Sequence, residues 1–200
     1  MKILGTDVEY DPTLESTTHR ADELKPEVVY GLKRAAKHLA FLKAREAYPK
    51  GRLIVRDMTA QDLEVTYMEW LDTISGADAW EDHQVAAAEI DPGRFVAIFG
   101  CRMMQFHVPD DLPVAALKFT VGASEVARWD LYKAYAATED TYVATNALQA
   151  LMPPLVIAES PIVIPENMII TIEQWGQATT LFCLALEGYV CELEGKTLKP

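Results

Sequence analysis

Apolar positions in this chain recur at helical spacing once and at strand spacing many times. From Glu27 to Tyr48, the residues Val28, Val29, Leu32, Ala35, Ala36, Leu39, Ala40 and Leu42 return every three or four positions, which is the stripe of an amphipathic helix. Pro26 precedes them at the place where a first helical turn tolerates proline. Residues 1–24 are polar with few apolar anchors and read as an extended arm. After Gly51, the run Arg52–Asp57 reads as a strand. Thr59-Ala-Gln-Asp62 can open a helix as a capping box, with Leu63, Tyr67, Leu71 and Ile74 on one face. The same stretch alternates as Leu63, Val65 and Tyr67 for a strand, and periodicity leaves both open. Ser75-Gly-Ala-Asp reads as a turn.

Strand-like runs then follow closely: Val85–Ile90, Phe95–Met104, Val114–Val121 and Ala127–Tyr135. Asp91-Pro-Gly, Pro109-Asp-Asp-Leu-Pro113 and Gly122-Ala-Ser separate them with turn chemistry. A short helix is expected over 138–152, ended by Pro153-Pro154, and Leu155–Ile164 returns to strand. In the last forty residues Met168, Ile170 and Ile172 alternate with Ile169, Thr171 and Glu173. The run Thr179–Leu193 is more continuously apolar, as a strand covered on both faces would be. Many short strands without interleaved helices predict a mainly β chain, a β-sandwich or jelly roll with an N-terminal arm and amphipathic helix. The expected division is an arm and basic helix over 1–50 and the sandwich over 51–200.

Two hundred residues, half of them hydrophobic, suffice for a real core. A net charge of −12 argues against nucleic acid as a general partner of the body. The charge is unevenly placed. Between Lys25 and Arg52 eight basic residues face only Glu27 and Glu46, so that segment is +6 and the remainder −18. Such a helix can meet an anionic membrane, nucleic acid, or an acidic protein surface, its own included. Asp7, Glu9 and Asp11 break up any secretory signal, and Asn146, Gln149 and the proline pair interrupt the longest uncharged stretch, 141–158.

Candidate chemistry is sparse. Cys101, Cys183 and Cys191 lack CxxC spacing and sit in apolar runs, as buried free thiols do. His19, His38, His83 and His107 fall on separate segments, whereas a cupin-type metal site wants paired histidines on one strand. There is no GxSxG elbow, GxGxxG or Walker loop. Asp110-Asp111, between prolines, reads as a turn. No catalytic residue, metal ligand, cofactor or small-molecule substrate is expected. The distinctive internal stretch holds Arg128, Trp129 and Asp130. Arg128, Trp129 and Asp130 could form a recognition patch, or Trp129 could point inward between a surface Arg–Asp pair. Trp70, Trp80 and Trp175 pose the same choice, and Trp175, next to Gly176, suits an edge or interface.

In texture, the runs Phe95–Gly100, Ala116–Val121 with Gly122, Pro161–Pro165 and Leu184–Val190 resemble the single-jelly-roll capsid and minor capsid proteins of icosahedral bacterial and archaeal viruses. The resemblance covers roughly residues 52–195 and transfers no individual site residue. It implies a non-enzymatic virion protein, assembled in the host cytoplasm, whose partners are other copies of itself and other virion proteins. The arm and the 25–52 helix would then tie neighbours together or contact a membrane or genome. Two other readings stand beside it: a carbohydrate- or receptor-binding β-sandwich using exposed tryptophans, and a cupin-type metalloenzyme with His107 as ligand.

Overall fold

The computed structural model describes residues 18–64, 70–73, 79–83, 88–105, 115–131, 155–176 and 181–195. Within them the chain runs β1 (Thr18–Arg20), α1 (Pro26–Ala47), β2 (Leu53–Asp57), a 3-10 turn (Ala60–Leu63), β3 (Trp70–Thr73), β4 (Ala79–Asp82) and β5 (Ala88–Glu89). There follow β6 (Arg94–Gln105), β7 (Ala116–Val121), β8 (Ser124–Asp130), β9 (Val156–Ile164), β10 (Ile169–Gly176) and β11 (Leu181–Leu193). The strands form two antiparallel sheets, a β-sandwich with one helix. Sheet one has the order β1-β9-β6-β11-β2, with β3 on the same edge of β11 as β2. Sheet two has the order β4-β10-β7-β8, with β5 also on β10. From β3 onward the chain keeps crossing between sheets, and the pairs nest: β7 with β8, β6 with β9, β4 and β5 with β10, β2 and β3 with β11.

Alternation along β6 explains the layering. Val96, Ile98 and Cys101 join the core between the sheets, together with Leu117, Phe119, Trp129, Ile170, Ile172, Leu186 and Val190. Phe95, Ala97 and Phe99 point the other way, into a second core under α1. The helix contributes Leu32, Ala36, Ala40 and Ala44 to that core, all at most 1% exposed. Its stripe is narrow and mostly alanine, which lets the helix axis lie close to the sheet. The helix expected from Glu27 to Tyr48 is therefore present, with Leu32, Ala36, Ala40 and Ala44 buried on the chain's own sheet one, whereas Leu39 and Leu42, expected in the same stripe, are exposed. Among the described residues no helix is long and apolar enough to cross a membrane.

Two glycines mark the places where sheet one bends. The register shifts between Ile98 and Gly100 against β9, and between Glu187 and Gly188 against β11's partner β6. A Cβ at Gly100 would stand 2.4 Å from the Val156 carbonyl oxygen, and one at Gly188 2.7 Å from that of Ala97. Only a residue without a side chain allows those backbones to approach.

An ionic network ties β2, the 3-10 turn, β6 and β11 together. Arg56 donates from Nη1 and Nη2 to both oxygens of Asp62 at 2.8 and 2.6 Å, and from Nε to Glu192 at 3.0 Å. Arg94 donates from Nε to the same Glu192 at 3.1 Å and from Nη1 to Asp91 at 2.6 Å. The Asp62 side chain is fully buried. Burial alone would raise its pKa, but donation from Arg56 and from the Thr59 backbone N–H outweighs that and holds it below the ordinary value. The same pairing raises the pKa of Arg56.

The Thr59–Asp62 capping box forms, with Thr59 N and Oγ1 donating to Asp62 at 2.8 and 3.0 Å. It opens a single 3-10 turn and no longer helix, because Glu64 turns left-handed at φ 60°. The expected strand Val85–Ile90 is represented by Ala88–Glu89, and β4 had no counterpart in the periodicity. Strand β8 begins at Ser124, inside the stretch read as a turn. At the end of the expected arm, Thr18–Arg20 is a strand on the edge of β9, where His19 meets Glu159 at 2.7 Å. Residues 1–17, Ser75–Asp78, the expected 138–152 helix and Tyr132–Tyr135 lie outside the described residues.

Gly100→Ala is expected to destabilise the fold by about 1–3 kcal/mol in urea unfolding, because a backbone carbonyl would have to move. A depressed Asp62 pKa stabilises the fold above the unfolded value, near 3.9, and that contribution is lost as pH falls through the folded value. Asp62→Asn should therefore lower stability at neutral pH and flatten its decline between about pH 5 and 2, measured by urea midpoints across that range.

Candidate interaction surface

Because α1 covers the outer face of sheet one, the opposite broad face belongs to sheet two. Strand parity determines what that face carries. On β10, Ile170, Ile172 and Gln174 are buried, so Ile169, Thr171, Glu173 and Trp175 face outward. Register sets Trp80 opposite Trp175, Asp82 opposite Glu173, and Lys118 opposite both Glu173 and Arg128. Two tryptophans and two cations thus share one exposed sheet face.

Their contacts form one assembly. Lys118 Nζ lies 2.6 Å from Glu173 Oε2 and 4.9 Å from the centroid of the Trp80 ring. Arg128 Cζ lies 5.5 Å from the same centroid and its Nη2 is 3.0 Å from Glu125 Oε1. Trp80, rooted on β4, therefore leans across β10 toward β7 and β8, held by cation–π attraction whose cations are charge-balanced by carboxylates. What results is a half-buried pair of tryptophans on one sheet face, the Trp80 ring covered in part by Lys118 and Arg128 and Trp175 beside it by register.

Of the residues singled out in the sequence, Trp80, Arg128, Asp130 and Trp175 are on this surface. Trp129 is not. It is 0% exposed in the inter-sheet core, its ring 4.6 Å from that of Phe119. It cannot meet a partner, because its outward neighbours Arg128 and Asp130 occupy the solvent side of β8. Its indole N–H is buried without a hydrogen-bond partner among the described residues. Trp80 and Lys118 were the residues the sequence did not gather into this group. The signal would have been the β4–β10 register, which a four-residue acidic strand does not announce.

Other candidates separate. His83 is buried beside β10, His19 pairs with Glu159, His38 is exposed on α1, and His107 lies outside the described residues. Among the described residues no group of three or more histidine, cysteine or acidic side chains is placed to hold a metal. Burial pushes the Cys101 thiol up to about 12 and that of Cys191 to about 11, which leaves both unreactive at neutral pH. The side chain of Cys183 lies outside the described residues.

Several basic residues of the 25–52 segment serve the chain's own packing. Lys33 and Lys37 lie 5.7 Å from the ring centroids of Phe99 and Tyr189. Arg45 donates to the carbonyls of Pro49 and Gly51 at 3.0 and 2.9 Å, closing the turn after the helix. Arg52 pairs with Glu194 at 3.1 Å.

The contrast between core and surface tryptophans can be measured. Trp129→Ala is expected to cost about 3–5 kcal/mol of folding stability. Trp80→Ala should cost only about 1 kcal/mol, the size of an exposed cation–π pair with some lost packing. Urea midpoints of the two variants give the comparison.

Comparison of the chain with protein-family models, with curated proteins and with solved structures found no match.

Proposed function

We propose that this chain is a jelly-roll structural subunit that self-assembles, and that the assembly is a virus particle in which it serves as a capsid, minor capsid, cement or connector component. The observation that carries the reading is the nesting of strand pairs. Setting aside the edge strand β1, and counting β2 with β3 and β4 with β5 as single positions, the described residues have eight strand positions, and first pairs with eighth, second with seventh, third with sixth, fourth with fifth. Such nesting supports a jelly-roll reading, in which one long antiparallel hairpin is rolled up so that its strands, apart from the β7–β8 pair at its tip, alternate between two sheets. The helix layer on sheet one and the tryptophan pair on sheet two give such a subunit two broad outer faces for neighbours.

The Trp80–Trp175 pair favours one alternative, a carbohydrate- or receptor-binding sandwich, since such rings suit the C–H face of a sugar. The readings diverge in solution. A subunit built to assemble should show a mass by light scattering that rises with concentration, and regular particles or closed oligomers by electron microscopy. A strict monomer from micromolar to near-millimolar concentration, binding glycans through a site lost in Trp175→Ala, would replace this reading with the alternative.

A further inference from the structure

We propose that two copies of this chain pair through the outer edge of β2, antiparallel about Val55, so that sheet one runs on from one copy into the other. The inference rests on the self-assembly reading and names one contact of it.

The ladder between β2 and β11 decides where the backbone groups of β2 point. Met58 N–H donates to the Gly188 carbonyl at 3.0 Å, and Glu194 N–H to that of Arg52 at 2.8 Å. Hydrogen-bonded pairs alternate along an antiparallel ladder, so Arg52, Ile54, Arg56 and Met58 turn their N–H and C=O groups to β11. Leu53, Val55 and Asp57 turn theirs the other way, off the edge of the sheet. Among the described residues no backbone group meets them, and the Asp57 carbonyl accepts only from Arg56 Nη1 at 3.0 Å. That oxygen keeps a second acceptor site.

Sheet edges are usually blunted by a proline, a bulge, or charges that an added strand would have to desolvate. β2 holds no proline, and its register against β11 has no shift. Its central charge, Arg56, is already neutralised by Asp62 and Glu192. Ile54 is 44% exposed, although its neighbours Leu53 and Val55 pack into the core under α1. The strand thus keeps both the backbone groups and the apolar surface that a further strand would cover.

Self-complementarity argues for a second copy as the occupant. A two-fold axis at Val55 sets Val55 opposite Val55, Leu53 opposite Asp57, and Ile54 opposite Arg56 of the second copy. Opposed positions have the same parity, so the two sheets keep their faces aligned. Each outward N–H and C=O of Leu53, Val55 and Asp57 then finds its complement. Ile54 lies along the aliphatic stem of the second copy's arginine. Charge agrees with this direction. Lys50 and Arg52, with Glu194 beside them, precede β2 and Asp57 ends it, so antiparallel pairing brings unlike ends together and opposes no like pair.

The contact is isologous and closes at two copies. A strand of 5 residues is about 17 Å long, which puts the contact at the low end of specific interfaces. Association should therefore appear at high micromolar concentration.

The test uses the full chain and Ile54→Lys, which sets like charge opposite Arg56 and is first shown by thermal melting to be folded. By light scattering the unaltered chain should reach the mass of two copies as concentration rises. Ile54→Lys should associate at least about tenfold more weakly. Amide exchange read by NMR adds a pattern that a change in folding would not produce. The amides of Leu53, Val55 and Asp57 should exchange fast in dilute solution and slowly in concentrated solution, whereas those of Ile54 and Arg56 stay slow throughout. If the chain assembles while the three outward amides stay fast, or Ile54→Lys assembles as well as the unaltered chain, this contact is wrong and self-assembly stands. Slow exchange at all three in a dilute monomer would mean that the chain covers its own edge, and overturns the contact as well. If the unaltered chain is a monomer throughout, both proposals fail.

Discussion

The ladder between β6 and β11 is the element on which the remaining structure depends. These are the two longest strands, paired from Gln105–Phe182 to Arg94–Glu192, and both stand in the middle of sheet one. Each is covered on both faces. One set of their side chains meets sheet two and the other meets α1, so a single backbone ladder carries two cores. Of the glycines that bend it, Gly100 lets β9 approach and Gly188 lets β6 and β11 themselves close up, and the ionic network fastens one end to β2 and the 3-10 turn.

That double coverage also explains how much of the fold was legible in sequence. α1 was readable because its stripe has helical spacing, β10 because Ile170 and Ile172 alternate with polar neighbours, and β11 because a strand buried on both faces reads as a continuous apolar run. The location of α1 was less readable, since a basic amphipathic helix suits several partners. An alanine-rich stripe is in retrospect the mark of a helix made for close approach to a sheet. Periodicity also could not orient Trp129, because β8 carries a register shift against β7 between Phe119 and Thr120 that decouples parity from sequence distance. The surface of sheet two was the least legible part. It is assembled from β4, β10, β7 and β8, and no sequence-local rule brings Trp80 to Lys118 or Arg128.

Charge follows the same division between internal and external use. Part of the basic segment is spent on aromatic rings and carbonyls of the chain's own sheet, and Arg56 and Arg94 neutralise carboxylates that could not otherwise be buried. What remains outside is acid-rich on sheet two, where Asp82, Glu89, Glu125, Asp130 and Glu173 stand against Lys118 and Arg128, and nearly balanced on α1, where Arg34, Lys37 and Lys43 stand against Glu27 and Glu46. A chain that is strongly acidic on average therefore carries its excess negative charge unevenly.

The nested winding has a kinetic consequence. β7 and β8 are joined by a tight turn and can pair as soon as both exist, whereas β2 must wait for residues 189–193, well over a hundred positions later. Long-range pairings of this kind close slowly, because the loop between them must be ordered first. Until β11 is synthesised, β6 has no central partner and sheet one cannot be completed, so the seat for α1 is missing. A nascent or truncated chain thus cannot finish sheet one, or give α1 its complete seat, until its last long strand has been made.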